Sequence, residues 1–146
     1  MIDSHCHIAG EEFVADLDAV AARAAGAGVT QALCILEAED EQERARAATV
    51  ARAWPAVRFA TGVHPHHAGK FAGNVTGLGE TVRDALDRTG AVAVGEIGLD
   101  YHYDFSPRDV QQEMFRAQIR LALDRNLPII IHTREAAADT LRILRE

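Results

Sequence analysis

The chain has 146 residues, of which 48% are hydrophobic and 25% charged, a size and composition typical of one globular domain with its own core. Fifteen basic and 22 acidic residues give a net charge of −7, which argues against a broad nucleic-acid or membrane surface but leaves room for a local, metal-lined cleft. No apolar run approaches the roughly 18 residues of a membrane span, and we expect no signal segment before the first strand.

The cysteine content bears on the cellular compartment. Cys6 and Cys34 are the two cysteines of the chain, and so few thiols fit a reducing environment. A disulfide between them is compatible with the sequence, but it is not favoured. We therefore expect a cytoplasmic protein with free thiols.

Five short apolar runs predict β-strands, and a helical pattern follows each of them. The strands begin near Ile2, Val29, Val57, Val92 and Pro128. The helices are predicted over Glu11–Ala25, Glu39–Ala53 and Thr76–Arg88, then over a long segment after Ser106 and a last segment from near Glu135. Strands and helices that alternate with a repeat of roughly thirty residues predict an α/β fold with a parallel sheet and helices outside it.

The long helix after Ser106 has the clearest start signals. Ser106 is a typical N-cap residue, Pro107 suits the first turn, and Asp109 complements the helix dipole. In the first predicted helix, Phe13 and Leu17 begin an apolar face at helical spacing. Such faces predict a core between the helices and the sheet.

The most informative stretch is Ala91–Tyr101, which is predicted to be a buried strand that leads into acidic and aromatic residues. Val92 and Val94 are β-branched and Gly90 precedes the run, as in strands covered on both faces. Glu96 lies where the apolar run ends, and a carboxylate buried there without a partner would cost several kcal/mol. A cation beside Glu96 would remove that cost.

Histidines occupy the ends of other predicted strands. His5 and His7 alternate onto one face of the first strand. His64 follows the third strand, and His132 ends the fifth. Taken singly, each is equally well explained as a solvated polar residue. Because the carboxyl ends of parallel strands share one face, the histidines and Glu96 together predict a site for zinc or manganese.

The chain also resembles a known family through five segments. These are Asp3–His7, Gly62–His66, Gly95–Tyr101, Gln111–Leu123 and Leu127–Ala136. They are similar to motifs of the TatD family of metal-dependent deoxyribonucleases, within the amidohydrolase-like barrels, and the resemblance runs from end to end. It implies a (β/α)8 TIM barrel, of which residues 1–146 would form a single domain, the N-terminal portion truncated to about five βα units.

The same resemblance implies a metal centre with two divalent ions, zinc, magnesium or manganese. His5 and His7 would bind one ion. Glu96 would bridge that ion to a second one and would be the catalytic carboxylate, and His132 would bind the second ion. Two such ions can activate a water for attack on a phosphodiester and stabilise the leaving oxygen.

The resemblance further implies that His64 and Arg134 contact the scissile phosphate of a DNA substrate or the neighbouring phosphates. A guanidinium matches the geometry of phosphate, although Arg134 is also explained as a surface charge on the first turn of the last helix. The implied enzyme is a deoxyribonuclease that could act as a 3′-5′ exonuclease. Asp100, Tyr101 and His102 belong to the motif but receive no role.

The chain departs from the family pattern in one respect. A complete barrel has eight strands and about 250 residues, and the family's histidine on the sixth strand and aspartate on the eighth have no counterpart here. Each ion would lack one protein ligand, and the aspartate would also be expected to handle the proton of the attacking water. We therefore expect either a portion of a longer barrel or a homo-oligomer whose copies cover each other's open apolar edges.

Two other functions remain open. A related barrel could use the same histidines and glutamate to hydrolyse a small ester or amide. A partial barrel could instead be an inactive truncated remnant or a binding scaffold. DNA is the expected partner in the leading interpretation, and no membrane association is expected.

Overall fold

The five predicted strands are all present in the computed structural model, which describes residues 1–146. The strands are β1 (Ile2–Cys6), β2 (Gln31–Glu37), β3 (Val57–Gly62), β4 (Ala93–Asp100) and β5 (Ile129–Arg134). The α-helices are α1 (Leu17–Gly26), α2 (Glu41–Ala53), α3 (Val75–Thr89), α4 (Arg108–Arg125) and α5 (Ala137–Leu144). Short 3-10 helices cover Glu11–Phe13 and Pro65–Phe71.

The strands form one parallel sheet in the order β1-β2-β3-β4-β5. Each strand therefore pairs with its neighbour along the chain, and the connecting segments carry the helices. This is the arrangement of a half-barrel, and it confirms the predicted α/β barrel type. Strands β1 and β5 form the two edges of the sheet.

The core consists of separate apolar clusters on the two faces of the sheet. Leu17 of α1 and Val50 of α2 pack with Phe59 of β3, and a second cluster joins α3 and α4 to β4. Because side chains alternate along a strand, Ile35 and Ala60 point to the opposite face, where they form a small third cluster. The sheet is thus apolar on both faces.

Strand β4 is longer than the sequence pattern indicates. The prediction that the strand ends at Glu96 is wrong, because β4 continues to Asp100. Ile97 and Leu99 are fully buried in the cluster with α3 and α4, whereas Glu96 and Asp100 alternate with them. The apolar run is interrupted at Glu96 because the second half of β4 has apolar side chains on one face and polar side chains on the other.

Two predicted helix starts also differ. Ser106 does not cap α4, since its hydroxyl donates to the carbonyl of His66 at 2.9 Å and accepts from the amide of Gly69 at 2.9 Å. The helix predicted over Glu11–Ala25 is divided into a 3-10 turn and α1, although Phe13 and Leu17 contribute to the same apolar cluster. The spacing of apolar residues reports which side chains are buried, not whether the helix is continuous.

The cysteines and helices bear on two further predictions. Cys6 and Cys34 lie opposite each other across β1 and β2, and both are free thiols. None of the helices combines the length and the apolar character needed to cross a lipid bilayer.

Two buried glutamines of α4 complete the ends of strands β3 and β4. Gln118 accepts a hydrogen bond from the amide of Val63 at 2.8 Å and donates to the carbonyl of the same residue at 3.0 Å. Gln111 accepts from the amide of Asp100 at 2.8 Å and donates to its carbonyl at 2.9 Å. Both glutamines are 1% exposed, so these bonds satisfy backbone groups that water does not reach.

We expect Gln118→Leu to lower the free energy of unfolding by about 2–5 kcal/mol, because it leaves two buried polar groups of Val63 without partners. Urea unfolding followed by circular dichroism measures the change. The matched control is Gln42→Leu on the exposed face of α2, which should stay within about 0.5 kcal/mol of the unsubstituted protein. Equal effects of the two substitutions would contradict this account of the glutamine.

Candidate metal centre

The structure brings together the four histidines and Glu96 that the sequence singles out. His5 lies in β1 and His7 directly after it, while His64 follows β3. Glu96 lies in the middle of β4, and His132 lies within β5. The prediction that the last two occupy strand ends is therefore wrong. They reach the same site because β4 and β5 extend to the rim beyond them.

One ligand group forms around the end of β1. The Nε2 atoms of His5 and His7 are 3.2 Å apart, and Nε2 of His5 is 3.3 Å from Oε2 of Glu96. The three side chains can direct one donor atom each to a common point, since these atoms lie within 4.8 Å of one another. Two imidazole nitrogens and a carboxylate oxygen are a ligand set that suits zinc and related divalent ions.

Glu96 connects this group to the opposite side of the site. Its Oε1 atom accepts a hydrogen bond from Nδ1 of His132 at 2.9 Å, while its Oε2 atom faces His5. The hydrogen bond from His132 lowers the pKa of Glu96, and the nearby His5 acts in the same direction, although burial opposes both. Glu96 is therefore an anion that faces a histidine with each of its two oxygens.

His132 lies between two carboxylates. Besides the bond to Glu96, its Nε2 atom donates to Oδ2 of Asp100 at 3.0 Å. The bond to Glu96 raises the pKa of His132, and the bond to Asp100 adds to this effect against the cost of burial. Asp100 fixes the orientation of the ring and directs Nδ1 towards Glu96. Such a carboxylate behind a histidine is a common partner of metal ligands.

Asp100 is a functional candidate to which sequence reasoning assigned no role. It is 1% exposed, and its Oδ2 atom also accepts a hydrogen bond from Nε2 of His66 at 2.8 Å. Burial opposes ionisation, but the hydrogen bonds from His66, Tyr103, His132 and His102 outweigh it and lower the pKa of Asp100. Its position four residues after Glu96 in an alternating strand was the available signal.

His64 lies close to His132 on the inner side of the site. Its Nε2 atom is 3.2 Å from Nδ1 of His132, and its Nδ1 atom accepts a hydrogen bond from the amide of His66. Burial, reinforced by the neighbouring His132, lowers the pKa of His64 to about 4. The ring is therefore neutral near pH 7, and because Nδ1 accepts a hydrogen bond, the ring proton lies on Nε2, which can donate to a substrate.

Arg134 lies at the outer rim rather than among the converging donors. Its guanidinium lies over the ring of Tyr103, 4.6 Å from the ring centre, and the side chain is exposed. The ring of Tyr103 in turn contacts His66 with 5.5 Å between centres. Arg134 is therefore separated from the histidine cluster by aromatic rings.

A second polar cluster follows β2 and was not singled out from the sequence. Nδ1 of His67 is 2.6 Å from Oε1 of Glu39 and 3.4 Å from Oε2 of Glu37. Lys70 approaches Oε1 of Glu39 at 3.2 Å. The bond to Glu37 raises the pKa of His67. Lys70 and the imidazole of His67 thus both face the carboxylates of this cluster.

Known proteins are similar to this chain in sequence and in fold. A family model described as TatD related DNase matches residues 2–146. The chain belongs to the TatD family. A TatD homolog from Escherichia coli K12, YJJV, has a crystal structure that superposes with a TM-score of 0.82 at 32% identity, over 99% of this chain and 55% of that one. A TatD family hydrolase from Entamoeba histolytica, with a TM-score of 0.77 and 21% identity, supports the fold alone.

Curated TatD relatives include metal-dependent hydrolases and a nuclease. The chain is 36% identical over 146 residues to a Bacillus subtilis (strain 168) protein named uncharacterized metal-dependent hydrolase YabD, of which it covers 55%. It is 34% identical over 145 residues to the 3′-5′ ssDNA/RNA exonuclease TatD of Pantoea vagans (strain C9-1), of which it covers 54%. The chain thus spans about half the length of these relatives.

Gly98 determines how closely β5 approaches the centre. It pairs with His132 at a φ of 149°, a backbone conformation that favours glycine. A β-carbon at Gly98 would overlap the carbonyl oxygen of His132. The close pairing of these two residues places the imidazole of His132 between the two carboxylates of β4.

We expect Gly98→Ala to push β5 away from β4 and to lower the free energy of unfolding by at least about 2 kcal/mol, through strain and lost pairing. The affinity for zinc should fall as well, because His132 moves away from Glu96. Urea unfolding and isothermal titration calorimetry measure the two effects. Gly26→Ala is the matched control, since a β-carbon at this helical glycine meets no neighbour. Unchanged zinc binding in Gly98→Ala would contradict the proposed position of His132.

Proposed function

We propose that this chain carries the metal-binding half of a metal-dependent phosphodiesterase that cleaves single-stranded DNA, with attack from the 3′ end. The observation that supports it is the position of Glu96, with one oxygen 3.3 Å from His5 and the other 2.9 Å from His132. A single carboxylate is thereby available to two neighbouring cation sites. This arrangement suits a bridging ligand between two ions.

The proposed ligands divide between two sites for divalent ions, zinc, magnesium or manganese. His5 and His7 serve the first site, His132 serves the second, and Glu96 serves both. Bound there, two such ions supply water activation and charge neutralisation at phosphorus. Asp100 holds the ring of His132 through Nε2, so Nδ1 is the nitrogen that would bind the ion, once it has released the proton that it donates to Glu96.

Two further residues are proposed to meet the substrate. The neutral ring of His64 presents Nε2 beside His132, where it can contact a phosphate oxygen. Arg134 can supply a guanidinium to the same phosphate or to the next one along the strand, since its side chain is exposed at the rim. The names of the relatives, which include a 3′-5′ ssDNA/RNA exonuclease, favour a nucleic acid over a small ester or amide.

Metal binding and substrate choice test the proposal together. We expect Glu96→Gln to weaken the affinity for zinc or manganese at least tenfold, because it removes the charge shared by both sites. The same substitution should abolish cleavage of a 3′-labelled single-stranded oligonucleotide. Mass spectrometry of bound metal and gel analysis of the products are the measurements. Glu113→Gln, on the exposed face of α4, is the control and should change neither.

Three results would redirect this proposal. Hydrolysis of p-nitrophenyl acetate without cleavage of the oligonucleotide would favour an ester or amide hydrolase on the same site. Metal binding well below one ion per chain, without hydrolysis, would favour a binding scaffold. Retention of metal by Glu96→Gln would remove the bridging role of this residue.

We also propose that copies of the chain associate through the exposed edges of the half-barrel. Ile2 on β1 is 64% exposed and Ile131 on β5 is 38% exposed, which is unfavourable for apolar strand residues.

The free thiols of Cys6 and Cys34 support a reducing location such as the cytoplasm.

We expect light scattering at about micromolar concentration to report a dimer or larger species, because each open edge offers unpaired backbone groups. Ile131→Lys places a charge on the β5 edge and should shift the distribution towards the monomer. Leu123→Lys, at an exposed position on α4, is the control and should leave it unchanged. A well-behaved monomer of the unsubstituted chain would contradict self-association.

A further inference from the structure

Two aromatic rings stand exposed on the loop that follows β4. The rings of Tyr103 and Phe105 are nearly parallel, with an angle of 4° between their planes and 5.4 Å between their centres. Tyr103 is 46% exposed and Phe105 is 66% exposed. Phe105 thus offers a large apolar ring to solvent without packing into the core.

The loop that carries these rings is held in place by Asp100 of the candidate metal centre. Oδ1 of Asp100 accepts hydrogen bonds from the amides of His102 at 3.0 Å and Tyr103 at 3.1 Å. The other oxygen of Asp100 holds His66 and His132. The loop and the proposed ligand His132 therefore share one buried carboxylate, which fixes their relative positions.

His66 lies between the exposed rings and the histidine cluster. Its ring meets Phe105 edge-to-face with 4.8 Å between centres and Tyr103 with 5.5 Å. The centre of the His64 ring is also close to that of His66, at 4.3 Å. The exposed rings are therefore one side chain removed from His64, which we propose as a phosphate contact.

Charge near the rings favours an anionic ligand. The guanidinium of Arg134 lies 4.6 Å from the centre of the Tyr103 ring. The acidic side chains nearby are paired, since Asp104 lies 3.6 Å from Arg108 and Glu135 lies 2.8 Å from His102. Arg134 itself has no carboxylate within salt-bridge distance. It remains available to a phosphate.

We propose that Phe105, supported by the stacked ring of Tyr103, is a stacking platform for one unpaired nucleobase beside the scissile phosphate, with Arg134, which covers the Tyr103 ring, on the adjoining phosphate. The inference rests on the proposed function and adds to it how a single strand is recognised. Aromatic side chains stack on any base, because every base has a π-face. A base inside a duplex has both faces covered by its stacked neighbours, so the platform favours bases that are free to leave a stack, as in a single strand.

Two observations favour a base over a protein partner. With a net charge of −7, the chain lacks the broad positive surface that would hold a nucleic-acid backbone by electrostatics alone, so affinity must come from local contacts. Two rings are also far smaller than the roughly 800 Å² per partner of a stable protein interface. A flat aromatic pair beside an arginine matches the size and charge of one nucleotide.

The test uses the manganese-loaded chain and a single-stranded oligonucleotide with 2-aminopurine as its 3′-terminal base, joined through a non-hydrolysable linkage so that the base is not released during the titration. Stacking quenches the fluorescence of this base, so the titration reports both affinity and contact without requiring cleavage. We expect Phe105→Ala to weaken binding at least about fivefold and to abolish the quenching. Phe105→Trp should restore both. Leu123→Ala, which removes an equally exposed apolar side chain on α4, should bind as the unsubstituted chain does.

An oligonucleotide with an abasic 3′ residue separates this inference from the proposed function. The unsubstituted chain and Phe105→Ala should bind it equally weakly, while both retain bound manganese and the ability to cleave it. If Phe105→Ala and Tyr103→Ala bind the 2-aminopurine strand as tightly as the unsubstituted chain, the platform is wrong and the nuclease proposal stands. If the unsubstituted chain binds and cleaves no oligonucleotide, both proposals are wrong.

Discussion

The imidazole of His132 is hydrogen-bonded to a carboxylate at each ring nitrogen, and the arrangement of the centre depends on this interaction. Glu96 accepts at one nitrogen and Asp100 at the other. Both carboxylates come from β4, so a single pair of adjacent parallel strands provides the acid–histidine–acid array. The array requires close pairing of Gly98 with His132, which only a residue without a β-carbon allows. The backbone pairing of β4 with β5 therefore sets the geometry of the site.

Because Asp100 is buried, its ionisation depends on its hydrogen-bond partners. An isolated carboxylate at the position of Asp100, which is 1% exposed, would be costly to ionise. Two histidines and two backbone amides compensate for that cost, and Gln111 of α4 pairs the backbone of the same residue. The helix layer thus contributes to the polar site as well as to the core. At the end of β4, the side chain of Gln111 supplies the hydrogen bonds that a neighbouring strand would otherwise make with the backbone of Asp100.

The half-barrel presents this centre at one rim, where the loop after β4 adds its aromatic rings. The His66 ring contacts both Phe105 and His64, so these aromatic rings are in continuous contact along the rim. Arg134, which leaves the sheet at the end of β5, reaches the outer part of this surface. The order from Glu96 outwards is therefore carboxylate, imidazole, aromatic ring and guanidinium, and the proposed contacts with phosphate and base depend on this order.

The sequence by itself determined the five strand–helix units and the parallel sheet, because alternation and apolar spacing are local properties that survive in any compact structure. The family was recognised separately, from the resemblance of five motif segments. It also identified His5, His7, Glu96 and His132 as candidate ligands, although it placed Glu96 and His132 at strand ends rather than within β4 and β5. Only the tertiary structure decided that β4 continues to Asp100, that Ser106 pairs with His66 and Gly69 instead of capping α4, and that Asp100 holds two histidines. These features depend on pairings between residues more than thirty positions apart, such as Asp100 with His132 and His66. Strand register and helix packing bring such residues together, and no local pattern in the chain encodes that register.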